Sequence, residues 1–203
     1  MRRRELADAL GGSLEIPTHM TGGELEVLYQ LGRDDNRPRA LELGSYLGAS
    51  SSRLAVALSL HGGHLYCVDT WANETMPEGE RDTYAEFLRN TRGVSQFITP
   101  IRKRTDEIAA TDVELPLDLV FVDADHSYPA VKRDFEKVRD WLRDDGVLAF
   151  HDAFFFEAVS RVVGEILATG RWQLLGHVDN LVWLRKLGPA GFPKPMADDE
   201  YGE

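Results

Sequence analysis

Residues 41–51 read Leu41-Glu42-Leu43-Gly44-Ser45-Tyr46-Leu47-Gly48-Ala49-Ser50-Ser51. A short apolar run gives way to a glycine loop and then to small residues compatible with a helix, the pattern of a strand turning into a helix. In open α/β sheets, ligands bind beyond the carboxyl ends of the strands, where glycine lets the backbone approach them closely. The spacing is Gly-x-x-x-Gly, with Glu42 two residues before the first glycine. It is neither the Gly-x-Gly-x-x-Gly of a pyrophosphate cradle nor the Gly-Lys-Ser/Thr of a phosphate loop. An acid at such a loop suits a cationic ligand better than a phosphate.

Other apolar runs at 65–69, 97–101, 117–123 and 147–151 join the one at 40–44 as predicted strands. Helical periodicity lies between them. Val131, Phe135, Val138 and Leu142 step by 4, 3 and 4 along one expected helix face, and Val159, Val162, Val163 and Ile166 form a second. Leu25, Leu28 and Leu31 indicate a helix before the first strand. Alternation of this kind predicts an α/β fold with a mainly parallel sheet. The chain ends differently. Runs at 172–177 and 181–185 are separated only by Val178-Asp179-Asn180, too short for a crossover helix, so these strands should be antiparallel.

A length of 203 residues predicts one domain, placed at 1–186, with a mobile tail at 187–203 that carries three prolines and the acidic run Asp198-Asp199-Glu200. The net charge of −11 argues against nucleic acid as a partner. No run of 18 apolar residues is present, so no membrane span is expected. The single cysteine, Cys67, fits a reducing cytosol and reads as a core residue, and the expected location is cytoplasmic.

The positions of the acids are more informative than their number. Asp69 closes the second strand, where a carboxylate can accept both hydroxyls of a ribose. The fourth strand runs into Asp123-Ala124-Asp125-His126-Ser127-Tyr128, and the fifth ends at His151-Asp152. Neighbouring parallel strands lie about 4.8 Å apart, so Asp123 and Asp152 can converge on one cation. Asp125 or Ser127 also fits a helix N-cap. His19, His61, His64 and His177 read as ordinary surface or core residues; His126 and His151 stand apart because both fall at strand ends beside carboxylates.

Glu42-Leu43-Gly44-x-x-x-Gly48, then Val68-Asp69-Thr70-Trp71, then the closing hairpin together resemble the class I S-adenosylmethionine-dependent methyltransferases over roughly residues 21–186. The resemblance implies a doubly wound, mostly parallel seven-stranded sheet closed by an antiparallel C-terminal hairpin. It also implies a loop of Glu42, Gly44, Ser45, Gly48 and Ser50 around the methionine part of S-adenosylmethionine. Asp69 would hold the ribose, Trp71 and the Thr105-Asp106 turn would meet the adenine, and Asp123 would lie beside the cofactor.

Asp-x-Asp-His-Ser-Tyr followed by Gly-Val-Leu-Ala-Phe-His-Asp looks like the macrocin-type sugar O-methyltransferases and, more distantly, the catechol type. That likeness implies Asp123, His151 and Asp152 as ligands of Mg²⁺ or Mn²⁺, and Asp125, His126 or a free His151 as the base. His151 stands where an acid is usual and Ala153 where catechol enzymes carry Asn; imidazole suits Mn²⁺, Fe²⁺ or Zn²⁺ better than Mg²⁺. The implied function is methylation of a sugar, glycoside, polysaccharide-precursor or natural-product hydroxyl. The implied acceptor is a small molecule or oligosaccharide, and the implied assembly a homodimer. A long polar stretch at 73–90, with Trp71 as a stacking platform, and the segment 16–23 are expected to close over the ligands. The rivals are a catechol or phenol O-methyltransferase, a metal-dependent hydroxylase-like enzyme of antibiotic biosynthesis, and a non-catalytic nucleoside-binding module.

Overall fold

The computed structural model describes residues 15–33, 38–73 and 79–188. Helix α1 (Gly22–Gly32) begins at a capping box: the Thr21 hydroxyl accepts from the Glu24 N–H, and the Glu24 carboxylate accepts from the Thr21 N–H. Strand β1 (Arg39–Leu43) leads into helix α2 (Ala49–Ser59), and β2 (His64–Asp69) is followed by α3 (Tyr84–Asn90). After β3 (Ile98–Arg102) and β4 (Leu117–Val122) come α4 (Tyr128–Val138), β5 (Leu142–Phe150) and α5 (Glu157–Ala168). The chain closes with β6 (Trp172–Val178) and β7 (Leu181–Lys186).

The seven strands form one sheet in the order β3-β2-β1-β4-β5-β7-β6. β1 to β5 run parallel, and β7 lies antiparallel to both β5 and β6. The turn of the hairpin is Asp179-Asn180, with Asp179 in the left-handed region at φ +47°. The expected seven-stranded, doubly wound fold and its antiparallel closure are therefore present.

Period-two alternation along buried β4 builds two cores. Val120 and Val122 face α4 and α5 with Val131, Phe135, Val159 and Ile166. Leu119 and Phe121 face the other layer with Leu25, Leu28, Leu54 and Phe87. Burying each such side chain contributes roughly 1.5–3 kcal/mol. Cys67 is fully buried in the second core.

One expectation needs correction. Leu142 continues the helical spacing of Val131, Phe135 and Val138, but α4 stops at Val138 and Leu142 opens β5. It is buried in the same core, and the coincidence of spacing survives the change of element. β5 therefore starts five residues earlier than the predicted 147–151. Between Leu142, opposite Leu117, and Val147, opposite Leu119, the register shifts through a bulge.

Among the described residues no helix is long and apolar enough to cross a membrane. The tail read at 187–203 lies outside the described residues from position 189 onward.

Candidate active site

A cavity of about 560 Å³ opens at the carboxyl ends of the parallel strands. Its walls include Gly44, Ser45 and Ser50 of the glycine loop, Asp69 after β2, and Thr105 after β3. Asp123, Asp125, His126, His151 and Asp152 complete it. Sheet order explains the convergence. β1 pairs with β2 on one side and β4 on the other, so the connections leaving β1 and β4 go to helices on opposite layers and leave a crevice between them.

The glycine loop is fixed by its neighbours. Gly44 sits at φ +88°, and a Cβ there would lie 2.0 Å from the Asp123 carbonyl oxygen. Asp69 clamps the loop from the other side: its Oδ2 accepts from the Ser45 N–H (2.8 Å) and the Tyr46 N–H (2.9 Å), while Oδ1 accepts from the Trp71 N–H (2.6 Å).

Four of the sequence-selected residues do not line the cavity. Glu42 is fully buried and turned into a nest of hydroxyls, accepting from Ser45 (2.7 Å), Ser50 (2.6 Å) and Ser51. Burial pushes its carboxyl up to about 7 against the lowering effect of those hydroxyls. Gly48 is the N-cap of α2 at φ +92°, and a Cβ there would lie 2.7 Å from the Thr91 side chain and 3.1 Å from the Phe87 ring. Trp71 is fully buried between Tyr84 and Phe87, with its indole N–H on the Tyr46 carbonyl, and is no exposed platform. Asp106 pairs with Arg104 at 3.1 Å; the Thr105–Ile108 turn is held by Lys137, whose ammonium donates to the carbonyls of Thr105, Asp106 and Ile108.

The segment 16–23 does reach the cavity: Ile16 packs on Leu47 and Ala49, while Thr18, His19 and Met20 line the wall. His19, which reads as an ordinary histidine in sequence, therefore faces the site. In the stretch 73–90, residues 74–78 lie outside the described residues, and α3 occupies 84–90.

The acidic cluster is tight. Asp123, His126 and Asp152 each bring one ligand atom within 4.8 Å of the others. His126 Nε2 lies 3.0 Å from Asp152 Oδ2 and 3.8 Å from Asp123 Oδ1. His151 Nδ1 lies 3.2 Å from Asp123 Oδ1 and 3.5 Å from Asp152 Oδ2. The buried His126 Nε2 makes no aligned hydrogen bond despite these contacts. Burial works against protonation of both imidazoles, but Asp123 and Asp152 outweigh it and push His126 up to about 9 and His151 up to about 11. Burial would raise Asp152, yet the two imidazoles hold it well below the usual carboxylate range. A field that gathers two protons between two carboxylates fits a divalent cation, and so does an orphaned imidazole nitrogen facing oxygen donors. Asp125 stands apart, accepting from the Ser127 N–H (2.7 Å) before α4.

Two features had no signal in sequence. Glu24, fully buried at the start of α1, places Oε2 3.2 Å from His151 Nε2, and its Oε1 accepts from the Asn180 N–H. Phe156 stacks flat on His126, and Phe155, an exposed neighbour, meets Phe156 edge-on while lining the cavity.

Residues 41–153 match the methyltransferase domain family. Among solved structures, the O-methyltransferase NovP superposes with a TM-score of 0.74 at 13% identity, covering 91% of this chain and 97% of NovP. The SAH-bound methyltransferase PaMTH1 of Podospora anserina gives 0.68 at 15%, over 92% and 89%. The O-methyltransferase TomG of Streptomyces achromogenes, involved in tomaymycin synthesis and solved with SAM, gives 0.62 at 20%, over 93% and 92%.

Proposed function

The chain belongs to the methyltransferase domain family, as an S-adenosylmethionine-dependent class I enzyme, and we propose that it moves the methyl group onto a hydroxyl oxygen of a small molecule with the help of a divalent cation. The observation that carries this reading is that the glycine loop with its Asp69 clamp and the Asp123–His126–Asp152 cluster open onto one cavity. The O-methyltransferases NovP and TomG, whose fold this chain shares, support oxygen as the acceptor atom.

When bound, S-adenosylmethionine supplies a methyl group on a cationic sulfur, and a divalent cation lowers the pKa of a hydroxyl it contacts. Gly44, Ser45, Ser50 and Asp69 would hold the cofactor, Asp69 through its ribose, with Thr105 on the far wall. Asp123 and Asp152 would hold the cation. Both imidazoles line the cavity, but His126 is the more exposed, at 29% of its side chain against 4% for His151. His126, with Asp152 and Asp123 at 3.0 and 3.8 Å from its Nε2, is the residue that would take the acceptor's proton. Phe156 keeps that ring in one orientation, so that the proton leaves the hydroxyl along a fixed direction.

For the acceptor we propose a sugar or glycoside hydroxyl, with a phenol as the competing class. Single-domain organisation over 1–186 and a homodimer belong to the same reading. The test is incubation with ¹³C-methyl S-adenosylmethionine and a panel of glycosides and phenols, read by NMR. A labelled methyl on oxygen supports the proposal; a methyl on nitrogen or carbon overturns it.

A further inference from the structure

Resting on the cofactor reading above, we propose that the ribose of S-adenosylmethionine is held by two residues rather than one: Asp69 takes one of its hydroxyls, and the amide oxygen of Asn73 takes the other.

A carboxylate that grips a vicinal diol needs an open acceptor site on each oxygen. Asp69 does not have them. Its Oδ2 already accepts from the Ser45 N–H at 2.8 Å and the Tyr46 N–H at 2.9 Å, and its Oδ1 from the Trp71 N–H at 2.6 Å. An ionised carboxylate offers about four lone-pair sites, shared between its two oxygens. With both sites of Oδ2 spent on backbone, only Oδ1 has room, and for a single hydroxyl. The second hydroxyl needs an acceptor elsewhere on the wall.

Asn73 supplies it. It comes four residues after Asp69, lines the same cavity and is 6% exposed. Its Nδ2 donates to the Gly79 carbonyl at 2.7 Å, which fixes the amide's orientation, because the oxygen edge would be repelled there. Oδ1 is therefore the edge turned the other way, and it is buried without a donor. A buried carbonyl oxygen left unpaired is costly, and a ligand hydroxyl is a donor. Thr70 and Thr83, which line the same cavity, are engaged elsewhere: Thr70 Oγ1 accepts from the Ala72 N–H at 3.2 Å, and the Thr83 hydroxyl donates to the Trp71 carbonyl at 3.3 Å. Asn73 stands at φ +59°, a conformation asparagine tolerates better than most residues. The chain around it is pinned, since the Arg81 N–H donates to the Ala72 carbonyl at 3.1 Å and the Thr83 N–H to the Trp71 carbonyl at 2.9 Å. Asp69 and Asn73 together then read a diol, one hydroxyl each, and a deoxyribose analogue forfeits one of the two contacts.

The test is calorimetric titration of the full chain with S-adenosylhomocysteine and with its 2′-deoxy and 3′-deoxy forms, in the wild type, Asn73→Ala and Asn73→Asp. Each missing hydroxyl should weaken binding to the wild type roughly 2–10-fold, the range of one net hydrogen bond. Asn73→Ala should weaken the parent compound by a similar factor, yet bind one of the two deoxy analogues as the wild type does, the one whose missing hydroxyl meets Asn73. Asn73→Asp keeps an acceptor while losing the donor to Gly79, so it should restore discrimination against that same analogue. Equal losses for all three ligands in Asn73→Ala, or Asn73→Asp discriminating no better than Asn73→Ala, reduce Asn73 to a support for Gly79 and overturn the inference. Undiminished binding of S-adenosylhomocysteine by Asn73→Ala overturns it too, as does a wild type indifferent to either hydroxyl. Failure of the wild type to bind S-adenosylhomocysteine at all overturns the cofactor reading itself.

Discussion

The ring of Phe156 lies flat on the imidazole of His126, with centroids 4.3 Å apart and planes 6° apart. Phe156 precedes the first turn of α5 and His126 precedes α4, so the stack joins the entrances of two helices at the mouth of the cavity. Truncating the ring frees the imidazole to rotate. For Phe156→Ala, turnover should fall roughly 10–100-fold, the range that follows from misplacing a reacting group by about an ångström. The KM for S-adenosylmethionine should hardly move, because the glycine loop lies on the other wall. Steady-state kinetics with both substrates varied checks this; unchanged turnover contradicts it.

Gly44→Ala should be among the most damaging single-methyl changes in the chain. The added Cβ would sit 2.0 Å from the Asp123 carbonyl oxygen and 2.9 Å from Ala124 Cα, at φ +88°. Backbone, unlike a flexible side chain, cannot swing aside, so the expected loss is about 3 kcal/mol or more. Gly164 in α5 is the control: it is exposed and has open space around it, so Gly164→Ala should add roughly 0.5–1 kcal/mol. Chemical denaturation of both variants measures the contrast, and a Gly44→Ala protein of wild-type stability refutes the packing argument.

Asp69 ties Ser45, Tyr46 and Trp71 through three backbone N–H groups. Hydrogen bonds to a charged acceptor contribute about 1.5–3 kcal/mol each, so Asp69→Ala should loosen the loop and weaken S-adenosylmethionine binding by roughly 10–100-fold. Calorimetric titration decides; undiminished affinity removes Asp69 from the cofactor site.

Glu42 gives a pH dependence with a definite sign. Its folded-state pKa of about 7 stands above the ordinary 4.5, so between those values the folded protein holds a proton that the unfolded chain releases. Stability from this group is complete below about pH 4.5 and is lost as pH rises through about 7. The loss amounts to about 3 kcal/mol. Glu42→Gln carries no such loss. Relative to the wild type, its unfolding free energy should therefore rise across that window and level off above it. Denaturation of both proteins from pH 5 to 8 tests this; a difference that stays flat contradicts it.

Much of the fold is legible in the sequence because it rests on local signals. The three residues after His177 forbid a crossover helix, and that alone sets the antiparallel closure. Leu142 misleads because an apolar residue four after Val138 fits a helix as well as the first position of a strand. At the site, Asp69, Asp123, His126, His151 and Asp152 are recognisable as acids and imidazoles at strand ends. Glu24 is not: Thr21-Gly22-Gly23-Glu24 carries the spacing of a capping box, which accounts for the acid without reference to His151, 127 positions later. Trp71 and Glu42 sit beside the expected ligand in sequence but turn into the interior, a choice made by Tyr84, Phe87 and three serines rather than by position in the motif.

The decisive measurement is the rate of methyl transfer to a hydroxyl acceptor in chelated protein, before and after a divalent ion is added back, beside the same assay on Asp152→Asn. Transfer at background after chelation, restored by Mn²⁺ or Mg²⁺ in the wild type and not in Asp152→Asn, is the expected result. Full activity in the exhaustively chelated enzyme, or in Asp152→Asn, would contradict a cation held between Asp123 and Asp152.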